Sequence, residues 1–327
     1  MRRLNRFLMS GLVALAMTMG GAAHAEWPHD KPITIIVPFP PGGVTDVLAR
    51  LVAKELSTSL AQSVIVQNRP GAAGLLGTRV AAQAAPDGYT VLLSQIASHG
   101  SLPALHKKLG YDPVRNFEPV ILLAAHPNVL VINPTRSPRN VAELISLAKA
   151  KPGALNYGSA GIGTTFFLSA ELFKSMANVF ITGIHYQGGA PAITALLGGQ
   201  VDIVFSDFST AMPHVKTGAL RALAVTSKTR SPAAPDIPAV AETPGMQDFE
   251  VVSWISLHYP AGVPEAIVQR LNAAANKALK APAVADWVTN SGGVVKGGTP
   301  ADLARHVDSE LAKWKKVIDR TGISTEE

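Results

Sequence analysis

The stretch Ile33-Thr34-Ile35-Ile36-Val37-Pro38-Phe39-Pro40-Pro41-Gly42-Gly43-Val44-Thr45-Asp46 decides the fold. Its first five residues are β-branched and apolar without alternation, the pattern of a strand buried on both faces, whose natural host is a central parallel sheet. Pro40-Pro41-Gly42-Gly43 ends that strand. From Thr45 to Leu56 apolar residues recur at helical spacing, with Thr45 as a candidate cap. Strand, glycine-rich turn and helix together open a βαβ unit.

Working outward, the alternation continues. Strands are expected at 63–67, 89–94, 157–159, 184–186, 201–206 and 250–259, with two short ones at 120–123 and 129–132 around His126-Pro127. Helices are expected at 77–85, 141–150, 164–176, 191–197, 265–279 and 301–318. Strands and helices alternating at these lengths predict an α/β fold. Ser231 to Pro244, with four prolines, reads as an ordered surface loop.

The N-terminus is a targeting signal by pattern. Arg2, Arg3 and Arg6 precede an almost uncharged run to Ala22, and Ala23-His24-Ala25 supplies small residues for cleavage after Ala25. Removing residues 1–25 takes three arginines and no acid from 29 basic and 23 acidic residues, leaving 26 against 23. The mature chain is therefore only mildly basic. It has no long basic run or aromatic-basic interleaving, which removes support for nucleic-acid binding. Zero cysteines exclude a disulfide scaffold, a cysteine nucleophile, a thiolate metal site and a lipoprotein anchor.

No Gly-x-Ser-x-Gly, phosphate loop or His-Glu-x-x-His is present, and the eight histidines beyond residue 25 are not spaced as ligand pairs. No metal or cofactor is implied. Three glycine-rich segments each join a strand end to a helix start: 39–46, 158–165 and 186–191. Glycine admits close backbone approach, and the unpaired N–H groups of a helix's first turn attract anions. Asp46 falls in a first helical turn with Arg50 four residues on, which favours a structural role. Asp207, at a strand end, is open between structure and ligand binding.

Four further segments carry a resemblance: Pro38 to Arg50, Asn68-Arg69-Pro70-Gly71-Ala72-Ala73-Gly74, Pro86-Asp87-Gly88-Tyr89-Thr90, and Ala195 to Asp202. With Pro235-Asp236-Ile237-Pro238 and Tyr259 to Pro264 they run in order from about residue 30 to 320, and the chain resembles the Bug family. These are the periplasmic substrate-binding receptors of tripartite tricarboxylate transporters.

The resemblance implies a two-lobed, type II periplasmic-binding-protein (Venus-flytrap) fold with two interlobe crossings, near Ala124–Pro127 and Ser253–His258. The division expected is 1–25 signal peptide, 26–124 first lobe, 125–253 second lobe and 254–327 the rest of the first. It also implies a non-enzymatic, monomeric receptor that passes a small organic carboxylate to the membrane components of the transporter. A ligand sensor for a signalling partner, or a secreted α/β enzyme using Asp46 or Asp207, are the competing classes. Carried over as ligand-binding are Phe39, Gly42, Gly43, Thr45, Asp46, Ser94 and Gln95 from the first lobe. From the second come Ser159, Ala160, Gly161, Thr164, Thr165, Gly188, Gly189, Ala190 and Asp207. Phe166-Phe167-Leu168, where many relatives carry a histidine before the leucine, and Gln187, where lysine or arginine is common, depart from the family pattern. They make the wall less basic and suggest a ligand with an apolar body, although paired aromatics in a helix more often belong to the core.

Overall fold

The apolar opening run forms β1 (Ile33–Val37), flanked on both sides by parallel partners, β2 (Val64–Asn68) and β3 (Thr90–Gln95). The computed structural model describes residues 27–106 and 108–321, so the expected signal segment lies outside the described residues. Two-sided burial follows because α1 (Val44–Leu60) covers β1 with Leu48, Val52 and Leu56, while α2 (Leu75–Ala82) packs against β1 and β3. After β3 the chain turns through a π-helical segment, Ala97–Ser101, into the short helix α3 (Leu102–Leu105).

One strand then does two tasks. β4 (Phe117–Ile132) is 16 residues long. Residues 117–127 pair antiparallel with β9 (Val252–Pro260), and residues 128–132 pair antiparallel with β7 (Ile203–Asp207). β8 (Arg221–Val225) flanks residues 129–132 on the other side. Two short strands around His126-Pro127 were expected here, and Pro119 and Pro127 each lack a ladder donor. The chain instead accommodates both prolines. Register shifts lie between Pro119 and Ile121 and between Leu122 and Ala124, and Pro127 sits where β4 changes partners.

Between β4 and β7 lie α4 (Val141–Ala150), β5 (Asn156–Ser159), α5 (Thr165–Ala177), β6 (Thr182–His185) and α6 (Gly189–Leu197). The first half of the sheet runs β2-β1-β3-β9-β4 and the second β6-β5-β7-β4-β8. Both halves therefore have the same plan, three parallel strands followed by an antiparallel strand that arrives from the other half, then a last strand. α7 (Phe208–Lys216), which follows β7, and β8 were not anticipated. Pro213 inside the helix and the brevity of Arg221–Val225 hide both from periodicity.

The chain finishes with α8 (Glu265–Ala278), α9 (Pro282–Asn290), the two-residue β10 (Val294–Val295) on β4, and α10 (Pro300–Thr321). α10 lies along β4 and the π-helical segment. Its buried Glu310 accepts the indole N–H groups of Trp254 on β9 and Trp314 at 3.1 and 2.9 Å. One apolar cluster continues from Ile36, Leu92 and Trp314 to Leu130, Phe173 and Phe205, so it runs through both halves.

Behind the end of β3 a polar group is sealed in. The Ser94 hydroxyl meets Ser256 Oγ and His258 Nδ1, each at 2.7 Å, and the His258 ring stacks on His99 with centroids 4.3 Å apart. Burial depresses His258 well below its ordinary value, with the neighbouring His99 adding to the effect, and burial pushes His99 down to about 3 and His126 to about 4. The folded protein thus keeps these rings neutral while the unfolded chain protonates them below the ordinary value, so stability is full above about pH 6.5 and falls as the pH drops toward 3–4. Between pH 6.5 and 5 each ring removes on the order of 1–2 kcal/mol. His185 and His306 are depressed by burial in the same way, and Asp207, pushed up to about 6, works in the opposite direction but is one group against five. Urea unfolding should show a clearly lower midpoint at pH 5 than at pH 7, and His99→Gln should flatten that dependence.

Candidate ligand-binding cleft

The carboxyl ends of β1 and β3 and of β5 and β7 meet at one cavity of about 750 Å³. Parallel strands place the turns that follow them at the same rim, which is where open α/β sheets bind ligands. The turn after β1 contributes Phe39, Gly42, Gly43 and Thr45, and the end of β3 contributes Gln95. Across from them stand Ala160, Thr164 and Thr165 from the β5–α5 turn, Gly188, Gly189 and Ala190 from the β6–α6 turn, and Asp207 at the end of β7.

Local chemistry fixes the first turn. Gly42 adopts φ +85°, which directs its N–H at the Asp46 carboxylate, 2.9 Å away. That carboxylate also takes Arg50 through Nε and Nη2 at 3.0 and 2.9 Å, and Asn68 Nδ2 at 2.8 Å. Burial alone would raise Asp46, but Arg50, the Gly42 N–H and Asn68 outweigh it and hold the carboxyl below its usual range. With its oxygens committed, Asp46 does not line the cavity; it anchors the loop that does. Ser94 is likewise sealed behind Gln95, in the Ser256–His258 group.

In the second turn, Ser159 is fully buried, its hydroxyl taking the Gly161 N–H at 3.1 Å and meeting His185 Nδ1 at 2.8 Å. A serine hydroxyl against an imidazole is one element of a nucleophile pair, but this oxygen is closed off from the cavity. Gly161, with φ +120°, accepts the Thr164 hydroxyl on its carbonyl at 2.6 Å. Ser159 and Gly161 therefore brace the turn, and Ala160, Thr164 and Thr165 form the surface it presents. At the third turn a Cβ on Gly189 would come within 2.9 Å of the Phe166 ring and 3.7 Å of Asp207 Oδ2, so glycine lets these three elements close on one another. Phe166 lines the cavity, whereas Phe167 packs into the core and against His185.

Helices α1, α5 and α6 all begin at this rim, with N-caps at Gly43, Thr164 and Gly188 that make no side-chain capping bond. Their first-turn N–H groups give a positive local potential from two sides. Among the described residues no lysine or arginine lines the cavity. Asp207 supplies its only carboxylate there, and burial pushes that group up to about 6.

Sequence reasoning missed Ala72 and Ala73, His126, Ser209, Thr210 and Ser253, all of which line the cavity. Asn68 to Gly74 was singled out as a motif but not as a wall, although it follows the carboxyl end of β2 and so reaches the same rim. His126 carried no local signal, because its position depends on the partner change of β4.

Two halves of one topological plan, connected by two strand crossings, with helix N-termini facing each other over a cleft, define a solute-binding receptor of the two-lobed periplasmic type. Comparison with known proteins agrees. The family model described as "Tripartite tricarboxylate transporter family receptor" matches residues 48–323, and the chain belongs to that family. Protein BugT of Bordetella pertussis is 36% identical over 293 residues, covering 89% of this chain and 90% of BugT. Among solved structures, an R. palustris protein with adipate is 36% identical with a TM-score of 0.84, covering 91% of this chain and 99% of its own. MatC from Rhodopseudomonas palustris with bound malate is 34% identical with a TM-score of 0.80, covering 89% and 99%.

The Asp46 anchor can be tested directly. Asp46→Ala leaves Arg50 without its carboxylate and the Gly42 N–H and Asn68 amide short of an acceptor, an expected loss of about 2–4 kcal/mol by urea unfolding. Asp46→Asn should recover part of it. A loss under ~0.5 kcal/mol would show that the loop does not depend on this carboxylate.

Proposed function

We propose that this chain is exported to the periplasm through a signal peptide cleaved after Ala25, captures a small organic carboxylate in the cleft, and delivers it to the membrane components of a tripartite tricarboxylate transporter. The observation that carries the reading is the convergence of helix N-termini, α1 from one side and α5 and α6 from the other, on a cavity that no lysine or arginine lines among the described residues. A carboxylate held this way takes its hydrogen bonds from backbone N–H groups, each partly buried helix end contributing up to ~2 kcal/mol. The carboxylates in the adipate and malate structures of relatives support the same ligand class.

In this reading residues 26–124 and 254–327 form one lobe and 125–253 the other. The strand pairing supports hand-over points between Pro127 and Asn128 and between Val251 and Val252. Phe39, Gly42, Gly43, Thr45, Gln95, Ala160, Thr164, Thr165, Gly188, Gly189, Ala190 and Asp207 face the ligand. Asp46, Ser94, Ser159 and Gly161 hold those residues in place from behind. Phe166, Phe39 and Ile255 give the cavity an apolar portion suited to a carbon chain or ring.

The test is a thermal-shift screen of residues 26–327 against mono-, di- and tricarboxylates, aromatic acids, amino acids and neutral sugars. A ligand at about 100 times its dissociation constant adds about 2.7 kcal/mol and should raise the midpoint by several degrees. The expected result is stabilisation by a subset of carboxylates, each recovered chemically unchanged. Stabilisation by sugars alone, or turnover of the bound compound, would overturn the reading.

A further inference from the structure

The loop that joins β5 to α5 brings Ala160, Thr164 and Thr165 to the cleft, yet two of its ties reach outside its own turn. The Thr165 hydroxyl donates to Asn128 Oδ1 at 3.3 Å, at the point where β4 changes partners. The Ser101 hydroxyl donates to the Gly163 carbonyl at 2.9 Å, although Ser101 lies 62 residues earlier, in the π-helical segment after β3.

Ser101 is fully buried, and its own segment is firmly held. Tyr111 donates to the Ser98 carbonyl at 2.7 Å, and Ser98 Oγ bonds both the carbonyl and the N–H of Gln95 at 3.0 and 3.2 Å. The Leu102 N–H closes back on the Ala97 carbonyl. Gly100 admits Trp314 of α10, whose Cδ1 would lie 3.3 Å from a Cβ at that position. Gln95, Ile96 and Ala97 line the cleft where this segment begins, whereas Ser101 does not. One piece of chain therefore forms part of the first wall and, a turn later, grips the loop that forms the second.

The grip falls where the loop is softest. Gly161 and Gly163 adopt φ +120° and +85°, a region that glycine enters freely, so turning the Gly163–Thr164 peptide costs the backbone little. That peptide is planar, so a bond to its carbonyl also orients the Thr164 N–H and the entry into the first turn of α5. Leu102 and Leu105 close on the same residue: a Cβ on Gly163 would come within 3.0 and 3.5 Å of their methyl carbons.

We propose that Ser101 is a positioning residue for carboxylate binding. Its hydroxyl, with Leu102 packed beside it, sets the β5–α5 loop from across the cleft, so that the first-turn N–H groups of α5 are aimed at a ligand only while this bond is made. The proposal rests on the receptor reading and the lobe division above. A serine that only stabilised the fold would affect unfolding and leave affinity alone; a positioning serine makes affinity depend on a side chain that never touches the ligand.

Calorimetric titration of residues 26–327 with adipate, malate, succinate and benzoate, in the wild type and in Ser101→Ala, tests it. For each of the four that the wild type binds, Ser101→Ala should bind at least about fivefold more weakly. Ser57→Ala is the control, since it removes a hydroxyl bonded to the Ala53 carbonyl and the Val64 N–H, neither of which lines the cleft. It should lower the unliganded thermal midpoint and leave affinity unchanged. Amide exchange gives a readout that needs no ligand. Ser101→Ala should speed exchange at Thr164 and Leu168 at least about tenfold, without altering Val47, whose N–H bonds Gly43 at the start of α1. Leu102→Val keeps the hydroxyl and trims the packing; it should move affinity and exchange in the same direction, and it decides the matter if Ser101→Ala does not fold. Unchanged affinity in folded Ser101→Ala, or a loss no larger than that of Ser57→Ala, would overturn the proposal and leave the receptor reading intact. If the wild type binds none of the four acids, the receptor reading is the one that fails, and unchanged exchange would overturn the positioning of the loop independently.

Discussion

Both lobes depend on a single strand that each of them must share. β4 is the last strand of one half of the sheet and the incoming antiparallel strand of the other, so its path fixes how the halves meet. The hand-over is held by backbone chemistry. Asn128 N–H donates to Thr226 Oγ1 at 2.7 Å, Thr226 N–H returns to the Asn128 carbonyl at 2.9 Å, and the Thr226 hydroxyl donates to the Val251 carbonyl at 2.7 Å. Three chain segments that are distant in sequence thereby share one buried threonine. Since buried backbone groups must find partners, this tie stands in for the ladder that the crossing interrupts.

A consequence is that the cleft walls are rigid in unequal degrees. On the first lobe, Asp46, Arg50 and Asn68 lock the glycine loop to the end of β2 with several short bonds. On the second, the glycine loop is held within its own turn by Ser159 and Thr164 and from across the cleft by Ser101, whose hydroxyl donates to the Gly163 carbonyl at 2.9 Å. Gly163 adopts φ +85° and lies against Leu102, so this contact combines a hydrogen bond with apolar packing. One loop is referenced to its own lobe and the other to both. Relative movement of the lobes would therefore act on the second loop first.

The fold was legible wherever burial was uniform along a segment. The ITIIV run, the glycine turns and the long amphipathic helices announce a parallel α/β sheet, because two-sided burial and helical periodicity leave unmistakable patterns. β4 was not legible as one element, since Pro119 and Pro127 are local arguments against a strand and the compensation for them is tertiary. Pro213 concealed α7 for the same reason. In the site, the residues that turn geometry places at the rim could be read directly, whereas Ser94 and Ser159 differ from rim residues only by the direction in which a buried hydroxyl finds its partner. That direction is set by His258 and His185, which lie far away in sequence. His126 was hidden more deeply, because its role follows from Ser291 and Gly293 on an element nearly 170 residues later.

Recognition through backbone N–H groups separates two things that side-chain recognition joins. Affinity for a carboxylate comes from helix starts, which persist whatever side chains the sequence carries, so long as the loops keep their glycines. Discrimination between carboxylates must then come from the few side chains that break the neutrality of the wall. Among the described residues Asp207 is the one carboxylate on that wall, beside Gly189 and the first-turn residues Ser209 and Thr210. An aspartate fulfilling only a structural role would be expected to resemble Asp46, whose oxygens are met by an arginine, an amide and a backbone N–H. The contrast between the two acids is one of partners: the protein meets the oxygens of Asp46 with an arginine, an amide and a backbone N–H, which suits an anchor, whereas Asp207 makes no capping bond to its own helix and stands on the cleft wall.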